Sequence, residues 1–300
     1  MISTLNQLLQ EAKNKTTKKL VIAAAEDKYV LNAIAMAEKE GLINPIYVGD
    51  SNKIAMLSEE LNISIAPSSI IDIKDSNKAC EKAVRLVSEG KADLLMKGLV
   101  STGTLLKHVI SKEYGLLSGT LLSHLAVFES PNYHKLLGLS DAAMNISPSI
   151  NEKAGIINNA VSVFHSLGIS IPKTAILTAV EKVNPKMPAT TDAVALKGMC
   201  ERKELDNCIV DGPLALDNAI SKEAAMHKGI DSPVAGDADI LIAPDINTGN
   251  VLYKALSFLG NARCAAIITG SKAPIILTSR ADSEETKFLS IALGVMACKE

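Results

Sequence analysis

The chain has no tryptophan, and only 3% of its 300 residues are aromatic. So few rings cannot supply the stacking platforms that hold single-stranded nucleic acid, and they leave the core to aliphatic side chains. A formal net charge of -2 excludes a global basic footprint for a duplex and leaves room only for a local patch. The five cysteines (Cys80, Cys200, Cys208, Cys264 and Cys298) form no CxxC pair. An odd, scattered set fits reduced thiols in a cytoplasm better than a disulfide framework. No HExxH and no Cys/His cluster at zinc spacing occurs, and His108, His124, His134, His165 and His227 are dispersed. The opening residues, Met1-Ile2-Ser3-Thr4-Leu5-Asn6, carry no basic segment leading into an apolar run, so no signal peptide is expected. The longest apolar stretch, near Leu116 to Phe128, is broken by Ser118, Ser123 and His124, and is too short and polar to span a bilayer. These absences predict a soluble cytoplasmic protein that contacts neither nucleic acid nor membrane.

Hydrophobic residues make up 47% of the chain and charged residues 21%, which supplies a large core and argues against disorder. Short apolar runs alternate with segments of helical periodicity. Strands are predicted at 20–25, 45–48, 70–73, 93–96, 173–178, 207–210, 239–243, 264–269 and 274–278. Helices are predicted near 27–40, 75–89, 102–111, 151–167, 190–203, 215–229, 247–261 and 283–298. This βαβα order predicts an α/β/α fold with mostly parallel sheets covered on both faces. Length suits two α/β lobes, expected over 1–135 plus 270–300 and over 136–269.

Parallel α/β sheets bind ligands beyond the carboxyl ends of their strands, so the loops there carry the chemistry. Four stand out. Met96-Lys97-Gly98-Leu99-Val100-Ser101-Thr102-Gly103-Thr104 offers glycines, capping hydroxyls and a cation, but Thr104 stands where a Walker A loop needs lysine; its plain reading is a strand–turn–helix corner. Ser123-His124 is not a triad, because adjacent strand residues face opposite ways, and no GxSxG elbow occurs. In Pro244-Asp245-Ile246-Asn247-Thr248-Gly249-Asn250, Asp245 or Asn247 could cap the next helix, whose exposed amides would favour an anion. The fourth, Thr278-Ser279-Arg280-Ala281-Asp282-Ser283, sets a hydroxyl and a guanidinium before a helix that Ser283 is expected to cap. A guanidinium beside a helix start suits a phosphate; the plain alternative is a surface turn in which Arg280 pairs with Asp282 or Glu284. No GxGxxG follows the first strand, which ends Ala23-Ala24-Ala25-Glu26-Asp27, so dinucleotide binding has little support.

Five segments together carry a resemblance. They are Asp141-Ala142-Ala143-Met144-Asn145, Val183-Asn184-Pro185-Lys186-Met187-Pro188-Ala189-Thr190, Asp211-Gly212-Pro213-Leu214-Ala215-Leu216-Asp217, Pro233-Val234-Ala235-Gly236-Asp237-Ala238-Asp239 and Pro244 to Asn250. In combination they resemble the phosphate acetyl/butyryltransferase family, and 184–190 with 277–283 are of the butyryl type. The resemblance implies a two-lobed fold like that of isocitrate and isopropylmalate dehydrogenases, with the site in the interlobe cleft and a homodimer or larger homo-oligomer. It implies transfer of a butanoyl group between coenzyme A and phosphate by direct attack, with acyl-CoA and phosphate as substrates and no resident cofactor or metal. Ser279 and Arg280 carry over as catalytic residues. Lys97, Gly98, Thr102, Ser123, His124, Asn247, Gly249 and Asn250 are the expected substrate contacts. Acetyl-type members place an acid where Thr286 stands, so Asp282 and Glu284 remain alternatives, beside His124, for protonating the leaving thiolate. Rival readings are a phosphate acetyltransferase, an NAD- and metal-dependent dehydrogenase on the same fold, and a non-enzymatic sensor of CoA or acyl phosphate.

Overall fold

A computed structural model describes residues 2–119, 121–279 and 282–298. The chain divides into two compact units, Asn6–Gly119 with Ala265–Glu300, and Met1–Leu5 with Thr120–Cys264. The first is discontinuous; the second is central in the sequence.

After α1 (Leu5–Lys13), the discontinuous unit lays down β1 (Lys18–Ala23), α2 (Lys28–Lys39), β2 (Ile43–Gly49), α3 (Ser51–Leu61), β3 (Ile70–Asp72), α4 (Ser76–Ser88), β4 (Leu94–Lys97) and α5 (Thr102–Val109). The central unit follows with β5 (Ser123–Glu129), β6 (Leu137–Ser140), α6 (Ile150–Ser166), β7 (Lys173–Leu177), α7 (Pro188–Glu201), β8 (Ile209–Leu214), α8 (Leu216–Ile220), α9 (Lys222–His227), β9 (Ile240–Ile242) and α10 (Ile246–Lys254). The chain then returns to the discontinuous unit through β10 (Arg263–Thr269), β11 (Ile275–Ile276) and α11 (Glu284–Ala297).

In the discontinuous unit the strand order is β3-β2-β1-β4-β11-β10, parallel except that β10 runs against β11. In the central unit it is β5-β6-β9-β7-β8, parallel except for β5 against β6. Such strands are covered on both faces, which is why they read as unbroken apolar runs rather than as alternation. Leu20, Val21, Ile22 and Ala23 of β1 and Leu94, Leu95 and Met96 of β4 are all fully buried. Helix starts follow from short polar side chains: Asp27 accepts the Val30 amide at 3.0 Å to open α2, and Ser149 with Glu152 forms a reciprocal capping box on α6.

All nine expected strands are present, so the α/β class and the mostly parallel sheet stand. Four elements escaped prediction. β5 begins inside the apolar stretch 116–128, where no period separates strand from helix. β6 is four residues long, and α1 and α3 are short amphipathic helices. The helix expected over 215–229 is two, because Ser221 adopts an extended backbone and caps α9 by accepting the Ala224 amide at 3.2 Å.

Candidate active site

Register puts the loops of interest at strand ends. In the discontinuous unit, Ile276 of β11 pairs with Met96 of β4 in parallel, so Lys97–Thr102 and Thr278–Ser279 leave the same end of that sheet. Lys97 is buried, and its ammonium donates to the carbonyls of Gly98 and Val100 at 3.2 and 3.3 Å. Gly98 lies against β1: a methyl there would stand 2.0 Å from the Ala24 carbonyl oxygen. Ser101 caps α5, accepting the Thr104 amide at 3.1 Å. Thr102 is exposed in the first turn.

At the second loop, Ser283 caps α11 by accepting the Thr286 amide at 3.1 Å, as its sequence predicts. Arg280, expected to clamp phosphate, and Ala281 lie outside the described residues. Their neighbours on either side are bonded to each other. The Asp282 carboxylate accepts the Ser279 amide at 2.6 Å, and the Asp282 amide donates to the Ser279 carbonyl at 3.2 Å. Glu284 accepts from the Asn32 side-chain amide of α2 at 2.7 Å. Asp282 therefore holds Ser279, while Glu284 ties the helix start to its neighbour. Ser279 is exposed.

Sequence reasoning missed Lys287. Its ammonium reaches back from α11 to the carbonyls of Ser279 at 3.2 Å and Asp282 at 2.7 Å. A signal existed, since nearly every residue from Phe288 to Met296 is apolar. A helix apolar all round is buried, and a lysine on it is drawn inward.

In the central unit the remaining candidates converge on one strand end. β6 and β9 are parallel, with Ser140 opposite Ile242, so Asp141 and the 243–250 segment emerge together. β5 runs against β6, which brings its start, Ser123-His124, to that same end. The Ser123 hydroxyl is fully buried and accepts from Asn159 at 3.0 Å. His124 is buried edge-on against the Tyr253 ring at 5.7 Å, and its carbonyl accepts from Ser140 at 2.8 Å. Asp245 caps α10, accepting the Thr248 amide at 3.0 Å. A methyl on Gly249 would stand 2.1 Å from the Asp141 carbonyl oxygen, and Asn250 donates to the Ala142 carbonyl at 3.0 Å. Gly249 and Asn250 thus seat α10 on the 141–145 turn. Asn247 is exposed in the first turn of the helix. Asp141 organises that turn, accepting the amides of Ala143 and Met144 at 2.8 and 2.9 Å and the Asn145 side chain at 2.6 Å.

Each sheet end thus presents capped helix starts and hydroxyls beyond parallel strands, which defines the class as an α/β protein with anion-suited loops at its strand ends. Among the described residues no group of three or more His, Cys, Asp or Glu side chains could hold a metal ion, and no helix is long and apolar enough to cross a membrane.

The chain belongs to the phosphate acetyl/butaryl transferase family, whose model matches residues 3–83 and 76–295. It is 47% identical over 296 residues to a phosphate butyryltransferase of Clostridium acetobutylicum, covering 99% of this chain and 98% of that one. It is 46% identical to a phosphate acetyltransferase of Thermotoga maritima over 97% of this chain and 99% of that one. The solved branched-chain phosphotransacylase of Enterococcus faecalis is 35% identical and superposes with a TM-score of 0.81, covering 94% of this chain and 99% of that one. A 4-hydroxythreonine-4-phosphate dehydrogenase from Burkholderia phymatum shares the fold alone, at 13% identity and a TM-score of 0.53 over 95% of this chain and all of that one.

Proposed function

We propose that this protein catalyses butanoyl-CoA + phosphate = butanoyl phosphate + CoA. The observation that carries the reading is 47% identity, across nearly the whole chain, to a protein named phosphate butyryltransferase. In the reaction a phosphate oxygen attacks the thioester carbonyl carbon. The carbon–sulfur bond breaks with its electron pair on sulfur, and the proton lost by phosphate ends on the CoA thiol. Three needs follow: cations to hold desolvated phosphate, donors for the carbonyl oxyanion, and geometry that keeps the two substrates in line. Direct attack requires no protein nucleophile.

Arg280 is the phosphate clamp, since its planar fork matches two phosphate oxygens. Ser279 donates to the phosphate or to the developing oxyanion, an interaction whose loss typically costs about 3 kcal/mol of transition-state stabilisation. Lys97 and Thr102 are further anion contacts at the same sheet end, and Asn247 offers another at the start of α10. Coenzyme A, acyl-CoA and phosphate are substrates, and the reaction as written requires no resident cofactor. The working form is a cytoplasmic homo-oligomer: the family resemblance supports the oligomer and the free thiols a reducing compartment.

Thiol release from butanoyl-CoA in the presence of phosphate tests the reading directly. Arg280→Ala should raise the phosphate KM or lower kcat by about tenfold or more with native circular dichroism; full activity in that folded variant removes the clamp. A second reading, transfer of acetyl, is favoured by the 46% identity to a phosphate acetyltransferase. Pocket differences of one or two methylenes change selectivity by roughly 1–3 kcal/mol each. Rates with acetyl-CoA and butanoyl-CoA side by side distinguish the two.

A further inference from the structure

Lys287 occupies a position that favours an apolar side chain. It is 3% exposed and opens the buried part of α11, followed directly by buried Phe288 and Leu289. Burial pushes its ammonium pKa down, against the opposing pull of Asp282, Asp27 and Glu284. Desolvating a lysine is costly unless its donors are satisfied, and a methionine would fill the same volume without that cost. Its Nζ meets the Ser279 and Asp282 carbonyls at 3.2 and 2.7 Å and lies 5.9 Å from the centre of the Tyr29 ring. The same two residues are already joined by two hydrogen bonds of their own. Ser279 and Asp282 are therefore both pinned from α11, and Ser279 remains exposed.

We propose that Lys287 is a positioning residue for acyl transfer: its bonds to the Ser279 and Asp282 carbonyls fix the Ser279 backbone, and so aim the Ser279 hydroxyl at the reacting phosphate and carbonyl. The inference rests on the acyl-transfer reading given above. A lysine kept only for stability would leave kcat alone, because the strands and α11 are held by apolar burial. A lysine that aims a donor acts on the transition state and spares ground-state binding.

The test is a double-mutant cycle on the full chain, read by thiol release from butanoyl-CoA with phosphate. Lys287→Met should lower kcat about tenfold or more, keep the KM for butanoyl-CoA within about twofold and retain native circular dichroism. In a Ser279→Ala background the same change should cost less than about threefold, because the group it aims is gone. Equal losses in the two backgrounds, or a folded Lys287→Met with wild-type kcat, overturn the proposal. Should Lys287→Met lose its native dichroism, Lys287→Gln is read against the same thresholds, and failure of both to fold makes the role structural and overturns it too. Absence of thiol release from the wild-type protein would instead remove the acyl-transfer reading, before any variant is made.

Discussion

Gly98 and Gly249 show how single residues set the two sheet ends. Each lies where a methyl group would collide with a backbone carbonyl, that of Ala24 or of Asp141, at 2.0 and 2.1 Å. Backbone cannot yield as a side-chain tip can, so overpacking of this kind costs about 1–3 kcal/mol. We expect Gly98→Ala to lower the thermal midpoint and to reduce acyl-transfer activity, because the Lys97 loop must move; an unchanged melting curve would contradict the close approach. Both glycines were visible in the sequence as members of loops suited to anions. Their actual task, seating one backbone on another, was not, since a glycine bears no mark of the atom it avoids. Lys287 was hidden for the opposite reason. A lysine near a helix start reads as solvent-exposed by default, and only the mostly apolar run that follows it, Phe288 to Met296, says otherwise.

At the scale of elements, capping chemistry was the most legible feature. Ser283 caps α11 as its sequence predicts, and Asp245 rather than Asn247 caps α10. Ser283→Ala should cost about 1 kcal/mol in urea melts. It should also lower activity more than that loss explains, since the cap adjoins Asp282, which is bonded to Ser279. Pairing between elements was far less legible. Asp237, in the loop before β9, bonds to Lys173 of β7, to Lys135 ahead of β6 and to His134. Burial by itself would raise its carboxyl, but those three hydrogen bonds outweigh burial and hold it well below its ordinary value of 3.8. A carboxyl depressed in the folded state stabilises above its unfolded pKa, and that contribution fades as pH falls through the folded one. Asp237→Asn should therefore destabilise at pH 7, with a gap to wild type that narrows below about pH 4; a gap constant with pH would show that charge is not the cause. Such a node joins residues more than sixty positions apart, which no local pattern can announce.

For the molecule as a whole, composition foretold the class correctly, because alternating apolar runs and helical periods leave few architectures open. It foretold the thiols as well. All five cysteines are free, and burial pushes the thiols of Cys80, Cys208 and Cys298 up to about 11, 12 and 12. Since the thiolate is the reactive form, native protein at neutral pH should label slowly with a thiol reagent, whereas denatured chain should release five equivalents. A reductant should leave the melting temperature unchanged; a shift would reveal a cross-link.

The discontinuous unit begins near residue 6 and is completed only by β10, β11 and α11, after the whole central unit has been written out. On a ribosome delivering roughly 5–20 residues each second, the central strands are ready to pair while β4 still waits for its partner. During that interval β4 is a bare edge of Leu94, Leu95 and Met96, with one side of its backbone unpaired. A message cut short after residue 264 would thus yield sticky chains rather than half an enzyme. The closing segment is a fastener, whatever else it does.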